Sequence, residues 1–270
     1  KRVLRKIGLD THGLPIEVNV EKKLGFKTKA DIEAFGIENF CKECNSETAT
    51  NIDEVNKMTD MMGQLIDSDN PYITCTNEFI ESEWWLIKNI FDKGLIYHGN
   101  KVLPYCYRCG TELSKNEVSL GYQDDTVNTV IVPFKLVNED VYMLVWTTTP
   151  WTLMDNVAAC VNPDLTYLKV ESMGYKFIIC ESLANKVLGD EYKVLDKFKG
   201  TDMVGLKYEQ LLPFAKIEGK SFVVVADNYV TDADGTGIVH IAPAYGEDDS
   251  RVCRENKVAF VQSVAKDGTY

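Results

Sequence analysis

The sequence predicts a mixed α/β chain, an α+β arrangement in which helices and strands segregate along the chain. Three observations carry that expectation. Residues 1–27 are basic and glycine-containing. Residues 28–98 repeat apolar side chains at three- and four-residue spacing and hold a single proline, Pro71. From residue 100 the pattern changes to short runs rich in β-branched and aromatic residues. A length of 270 residues suits two domains, or one large domain with insertions.

The elements follow in order. Residues 1–27 centre on Gly8-Leu9-Asp10-Thr11-His12-Gly13-Leu14-Pro15. Residues 28–99 read as a helical arm, clearest at Thr76 to Lys93. Thr76 or Asn77 can cap this helix. Glu78, Glu81 and Glu83 near its start and Lys88 and Lys93 near its end suit the helix dipole, and Gly94 stops it. Phe79, Ile80, Trp84, Ile87 and Phe91 are expected to form its buried stripe. Residues 100–124 connect the arm to a β-rich domain over 125–270, read as barrel-like. Strands are expected at Val127–Leu136, Val141–Thr147, Leu165–Val170, Tyr175–Cys180, Phe222–Ala226 and Gly237–Ile241. Pro133 inside the first implies an edge or a bulge. Asn138-Glu139-Asp140 and Met173-Gly174 supply turns, and Leu183–Leu188 and Gly246–Asn256 interrupt the strands as helices.

Composition sets limits. A chain 45% hydrophobic and 26% charged is neither disordered nor fibrous. Apolar runs such as Phe222–Ala226 are far shorter than the ~20 residues of a membrane helix, so no membrane role is expected. Residues 1–30 hold 8 basic and 3 acidic side chains, a net of +5, against −12 for the whole chain. The acidic remainder argues against non-specific duplex binding, which basic surfaces drive, and hence against DNA. A local site for one nucleic-acid end stays compatible with it. Eight cysteines are too few for a disulfide scaffold of this size, and the two CxxC pairs favour a reducing, cytoplasmic setting. The chain begins at Lys1 and carries no secretory signal; it reads as a piece of something longer.

Three motifs can carry chemistry. Cys106-Tyr107-Arg108-Cys109-Gly110 is a knuckle that presents two thiols, half of a tetrahedral zinc site. Two free thiols in a reduced protein are the alternative, and Cys41/Cys44 lacks the glycine turn. Trp146-Thr147-Thr148-Thr149-Pro150-Trp151-Thr152 places hydroxyls at a strand end, where they can bond ribose, phosphate or base edges. The β propensity of threonine explains the same residues without a ligand. Gly235 to Asp249 runs from a strand through a Pro and Gly turn into a helix. His240 shares a face with Ile238, as a core histidine would. Glu247, Asp248 and Asp249 either cap the helix or aim a carboxylate at a substrate ammonium. No Gly-x-Ser-x-Gly elbow, HExxH or P-loop occurs.

Together these motifs resemble one family. Gly8 to Glu17 is similar to the GWDTHGLPxE segment of isoleucyl-tRNA synthetases, with Leu9 in place of Trp. WTTTPWTL at Trp146–Leu153 and GTGIVHIAPAYGEDD at Gly235–Asp249 resemble that family's two editing motifs, and Pro104–Ser114 resembles the CxxC of one of its branches. Met154-Asp155-Asn156 departs from the usual Pro-x-Asn and retains Asn156. Leucyl enzymes usually read GWDAFGLP, and valyl enzymes read a GxDHAGIATQ-like segment and TTRPET, so Thr11-His12-Gly13 and Thr149-Pro150-Trp151 favour the isoleucyl member.

The resemblance implies the end of a Rossmann-type catalytic half over 1–27, the helical segment 28–99, a CxxC connection over 100–124 and an editing domain over 125–270, truncated at its C-terminus. The HIGH-like and KMSKS-like elements would lie outside the chain, so ATP and Mg2+ would serve only the full-length enzyme. The partners implied are the 3′ end of tRNA(Ile), valine and isoleucine, in a monomer. The activity implied is hydrolysis of mischarged valyl-tRNA(Ile). Asp249 would take the valyl ammonium. Thr147, Thr148 and Thr149 would contact the terminal adenosine and block isoleucine's extra methylene, while His240 and Trp151 would shape the pocket, with Asn156 beside them. Asp10 would bind isoleucine in the synthetic site, and Cys106 and Cys109 would hold Zn2+. A non-catalytic tRNA-docking module, a zinc-dependent hydrolase and a valyl homologue are the readings that compete with it.

Overall fold

The computed structural model describes residues 3–214 and 216–270. Lys1 and Arg2, two of the basic residues counted above, lie outside the described residues. The chain divides into two compact units. One runs to Gly99 and adds Cys106–Gly110; the other comprises Asn100–Tyr105 and Thr111–Tyr270.

The first unit opens with strand β1 (Lys6–Leu9), followed by helices α1 (Leu14–Leu24), α2 (Lys29–Phe35) and α3 (Ile37–Met61), strand β2 (Asp67–Ile73) and helix α4 (Asn77–Asp92). Pro15 stands in the first turn of α1, where its missing N–H is harmless, and Gly25 ends the helix in the left-handed conformation. Thr28 and Asp31 form a capping box on α2. Val20, Ile32 and Phe40 form the buried core of the three helices.

Two expectations fail here. Residues 28–98 are not helical throughout, because Asp67–Ile73 pairs in parallel with β1, placing Leu9 opposite Ile73. Pro71 is tolerated since β2 pairs on one side only. The helix at 76–93 forms, with the Thr76 hydroxyl accepting the Phe79 N–H, but its stripe is not buried. Trp84 and Phe91 are 67% and 65% exposed, and Ile87 is exposed too. Only Phe79 and Ile80 are half-buried, Phe79 against the Tyr72 ring. An amphipathic stripe is buried only where another element covers it, and α4 has no buried residue.

A two-stranded ribbon follows, β3 (Tyr105–Cys106) with β4 (Thr111–Glu112), and then the short helix α5 (Lys115–Ser119). The rest of the second unit holds, in chain order, β5 (Val130–Lys135), β6 (Tyr142–Thr147), β7 (Ala158–Val161), β8 (Thr166–Ser172), β9 (Tyr175–Cys180), α6 (Ala184–Leu188), β10 (Lys193–Lys199), α7 (Gly200–Met203), β11 (Val223–Ala226), β12 (Ile238–Ile241) and α8 (Glu247–Asn256). All six expected strands and both helical interruptions are present. β7 and β10 are additions. Pro133 stands on β5, which pairs with β6 alone among the named strands.

The sheet order is β10-β8-β9-β6-β12-β7-β11, with β5 on the other edge of β6. β6 meets β9 with its first half and β12 at Trp146. Residues 205–209 then join the two free edges. Val137 N–H reaches Lys207 O at 3.0 Å, and Glu209 N–H reaches Lys135 O at 2.8 Å. On the other side Tyr208 N–H reaches Phe222 O at 3.1 Å, and Val224 N–H reaches Leu206 O at 2.9 Å. The strands β5, β6, β12, β7 and β11 therefore close into a barrel through an irregular sixth segment, which removes most exposed sheet edge.

Strand alternation sorts the barrel residues. Phe134, Met143, Val145, Ala159, Val161, Val224 and Ile238 point into one core. Ala158, Cys160, Val223, Val225 and Ile241 point outward against Val252 and Cys253 of α8. By the same alternation Thr147 continues the inward row of Val145, and His240 continues that of Ile238. Both reach the end of the barrel interior.

Candidate active site

The site is assembled where β6 and β12 end side by side. Pro150 opens a 3-10 turn, Pro150–Asp155, that folds the chain back over the barrel end. Two glycines make the approach to β12 possible. Gly235 has φ +76°, and a Cβ there would lie 2.7 Å from the Trp146 ring; Gly237 has φ +74°, and its Cβ would lie 2.4 Å from Cys180 Cβ. Only glycine suits a position with both constraints.

A cavity of about 460 Å³ opens here. Thr147, Thr148, Thr149, Trp151, His240 and Asp249 all line it, together with Thr152, Tyr245 and Val264. Six of the residues singled out in the sequence thus share one pocket. Trp151 is 60% exposed and stands at the mouth. Asn156 does not line the cavity; it is buried behind His240. Asp10 belongs to the first unit, where its carboxylate accepts from His12 N–H and the Thr74 hydroxyl.

The polar groups form an ordered chain. Tyr208 OH donates to Asn156 Oδ1 at 2.7 Å, and Asn156 Nδ2 donates to Ala158 O at 2.9 Å. These bonds fix which end of the amide faces which neighbour. Asn156 Nδ2 then donates to His240 Nδ1 at 2.8 Å. His240 is held as the Nε2–H tautomer, and that N–H faces Thr152 Oγ1 at 2.9 Å. Thr152 Oγ1 donates to Thr149 O at 2.8 Å, and Thr147 Oγ1 accepts the Thr149 N–H at 3.0 Å. Burial lowers the His240 pKa to about 4. A neutral imidazole at pH 7 with both nitrogens engaged is an orienting group rather than a strong base.

Asp249 is the opposite case. It sits in the first turn of α8, and its carboxylate accepts Ala242 N–H at 2.9 Å. Gly246 has no Cβ to crowd it; one would stand 3.0 Å from Asp249 Cγ. Burial raises the Asp249 pKa to about 6, and Asp248 adds to the rise. Arg251 is occupied elsewhere, pairing with both oxygens of Asp227 at 2.7 and 3.0 Å. A half-desolvated carboxylate facing a cavity gains most from a bound cation such as an ammonium.

Sequence reasoning missed Tyr208 and, as a partner of His240, Thr152. Thr152 lay inside a quoted motif at the right helical-turn spacing from Thr149; Tyr208 carried no signal. Cys106 and Cys109 form the turn of the ribbon, with Gly110 N–H on Cys106 O at 2.8 Å. The Cys109 backbone N–H and thiol lower the pKa of the Cys106 thiol, favouring its thiolate. Burial and the neighbouring Cys106 push the Cys109 thiol the other way, up. The two sulfurs of the knuckle would supply half of a tetrahedral site. Among the described residues no group of three or more His, Cys, Asp or Glu is placed to hold a metal ion. No helix among them is long and apolar enough to cross a membrane.

Comparison with known proteins places these features. The isoleucine--tRNA ligase of Clostridium kluyveri is 49% identical over 269 residues, covering 100% of this chain and 26% of that protein. That of Clostridium tetani is 46% identical over 270 residues, again covering 100% of the chain and 26% of the relative. The chain therefore spans about a quarter of the length of the curated relatives it matches. Among solved structures, the Plasmodium knowlesi cytosolic leucyl-tRNA synthetase editing domain aligns over 51% of this chain and 66% of its own, at 15% identity and a TM-score of 0.41. The model of the tRNA synthetases class I (I, L, M and V) matches residues 1–231, and with most of its length inside that match the chain belongs to this family.

Proposed function

We infer that the barrel carries a hydrolytic editing site of an isoleucine--tRNA ligase, which clears valine esterified to the 3′ end of tRNA(Ile). The observation that carries this reading is the convergence of Thr147, Thr148, Thr149, His240 and Asp249 on one cavity. The isoleucine--tRNA ligases at 46–49% identity across the chain support the choice of amino acid. The need for such a site is chemical. One methylene in an apolar pocket is worth only about 1–3 kcal/mol, a limit for which isoleucine against valine is the standard example.

In this reading Asp249 takes the valyl ammonium, and the threonine hydroxyls contact the terminal adenosine while their methyls limit the acyl chain. Trp151 stands at the mouth, where an aromatic face suits the base or the ester. His240, fixed by Asn156 and Tyr208, holds Thr152 and Thr149 in place. Water attacks the ester carbonyl and the acyl–oxygen bond breaks. Valine leaves, and the ribose oxygen takes up a proton. Orientation and polar contacts lower the barrier, since neither His240 nor Asp249 is a strong base.

In the whole enzyme, ATP and Mg2+ would serve the charging of tRNA, with Asp10 at the isoleucine ammonium. Cys106 and Cys109 would hold zinc, which would pin the ribbon when bound. The protein would work in the cytoplasm as a monomer, without membrane or DNA partners. The direct test is Asp249→Ala in the intact protein: valyl-tRNA(Ile) hydrolysis should fall about a hundredfold, the loss of one charge-assisted contact in a desolvated site. A variant that deacylates at the parental rate would refute the assignment.

A further inference from the structure

Asp155 replaces nothing that the editing motifs require, yet it is fully buried. Its carboxylate accepts Ser263 N–H at 2.7 Å, the Ser263 hydroxyl and the Tyr245 hydroxyl. All three donors are neutral. A buried carboxylate is costly unless its oxygens are hydrogen-bonded, so these three donors are what the site requires.

The donors come from two segments that line the pocket. Tyr245 lines it from the turn before α8, and Ser263 precedes Val264, which lines it as well. Val264 lies in a strap, residues 258–270, that has no helix or strand. The strap also contributes Gly268 and Tyr270 to the lining. It starts from Ala259, whose N–H reaches Lys220 O at 2.8 Å, and is closed on itself by Ala265 N–H to Thr269 O at 2.7 Å. Beyond Ala259 its hydrogen-bonding ties run from Ser263 to Asp155 and, through the Ser263 N–H, to the Tyr245 hydroxyl at 3.3 Å, while Val261 packs against the outward-facing core. Both hydrogen-bonding ties converge on one carboxylate, since the Tyr245 hydroxyl itself donates to Asp155.

We propose that Asp155 is a positioning residue that clamps the 258–270 strap over the barrel end, so that the strap, and not the threonines alone, limits the size of acyl group the pocket admits. The selectivity part of this inference rests on the hydrolytic reading above; the clamp itself does not. With the strap held, Val264, Gly268 and Tyr270 complete the wall of the cavity. With it released, the methyls of Thr147 to Thr149 would bound the acyl chain on one side only, and a larger side chain would fit.

The test uses the intact protein, its Asp155→Asn variant and its Ser263→Ala variant. Asparagine keeps the shape but offers an N–H where Ser263 or Tyr245 needs an acceptor; the serine change keeps the carboxylate buried and removes one hydroxyl, so it remains informative if the first variant folds poorly. Hydrogen exchange of the 261–269 amides should accelerate about tenfold in Asp155→Asn, the effect of losing one charge-assisted hydrogen bond, while β11 and β12 keep their protection. Hydrolysis of isoleucyl-tRNA(Ile) relative to valyl-tRNA(Ile) should rise by a similar factor. Unchanged strap exchange in both folded variants would overturn the clamp, and a loosened strap with an unchanged ester ratio would overturn its role in selectivity. If the parent hydrolyses neither ester, the hydrolytic reading fails and the exchange result alone decides the clamp.

Discussion

Asp249→Asn separates what the carboxylate does for the pocket from what it does to the fold. Burial raises its pKa to about 6 from the usual 3.8. A raised carboxyl is one whose ionised form the fold disfavours. Between pH 3.8 and 6 the folded chain binds more protons than the unfolded one, so stability rises as pH falls through this window. Above pH 6 the ionised group burdens the fold in full, by roughly 3 kcal/mol for a shift of about two pH units. Asparagine is neutral and nearly isosteric, and its Oδ1 still accepts Ala242 N–H. The variant is therefore expected to be about 2–3 kcal/mol more stable than the parent at pH 7.5 and equal to it near pH 4. Urea unfolding of the pair at several pH values reads this difference directly. The same variant should lose deacylation, a trade of stability for function common at active sites. A variant less stable than its parent at pH 7.5, or a gap that does not close in acid, would refute the reasoning.

Other consequences are as specific. His240 has the opposite sign: its pKa is lowered to about 4, so the stability tied to its neutral form is lost as pH falls from 6.5 to 4, and His240→Gln should flatten that part of the urea profile. Ester hydrolysis should fall tenfold per pH unit below about 6 as Asp249 takes a proton, a slope that Asp249→Asn abolishes in single-turnover assays. Tyr208→Phe strips the donor from buried Asn156 Oδ1; it should cost about 1–3 kcal/mol by urea unfolding and slow deacylation severalfold. Gly237→Ala meets both a left-handed φ and a Cβ contact with Cys180 at 2.4 Å. It should destabilise the fold by several kcal/mol, visible as lost soluble yield and a lower Tm.

Much of the barrel was legible because its strands carry β-branched and aromatic residues between clear turns. Two strands of the sheet were not. Ala158–Val161 is a run of small residues buried on both faces, with none of the bulk that marks a strand. Lys193–Lys199 is a charged outer strand whose polarity reads as loop. Asp67–Ile73 was hidden in a helical stretch by its acidic, proline-containing sequence. The buried stripe expected on α4 failed because periodicity states which face is apolar, not what covers it. At the site, the threonines, His240 and Asp249 stood out through motifs. What locks them did not. Tyr208 reaches Asn156 across 52 positions and Thr152 reaches His240 across 88, and only closure of the barrel brings such pairs together. The strap that completes the pocket is tied to Asp155 across 108 positions.

The central claim is that the pocket at the end of this barrel hydrolyses the smaller of two esters. Single-turnover deacylation of valyl-tRNA(Ile), with isoleucyl-tRNA(Ile) alongside, tests it most directly. Rapid loss of valine with isoleucine spared is the expected result. Both esters surviving at the rate of buffer alone, or both lost equally, would contradict it.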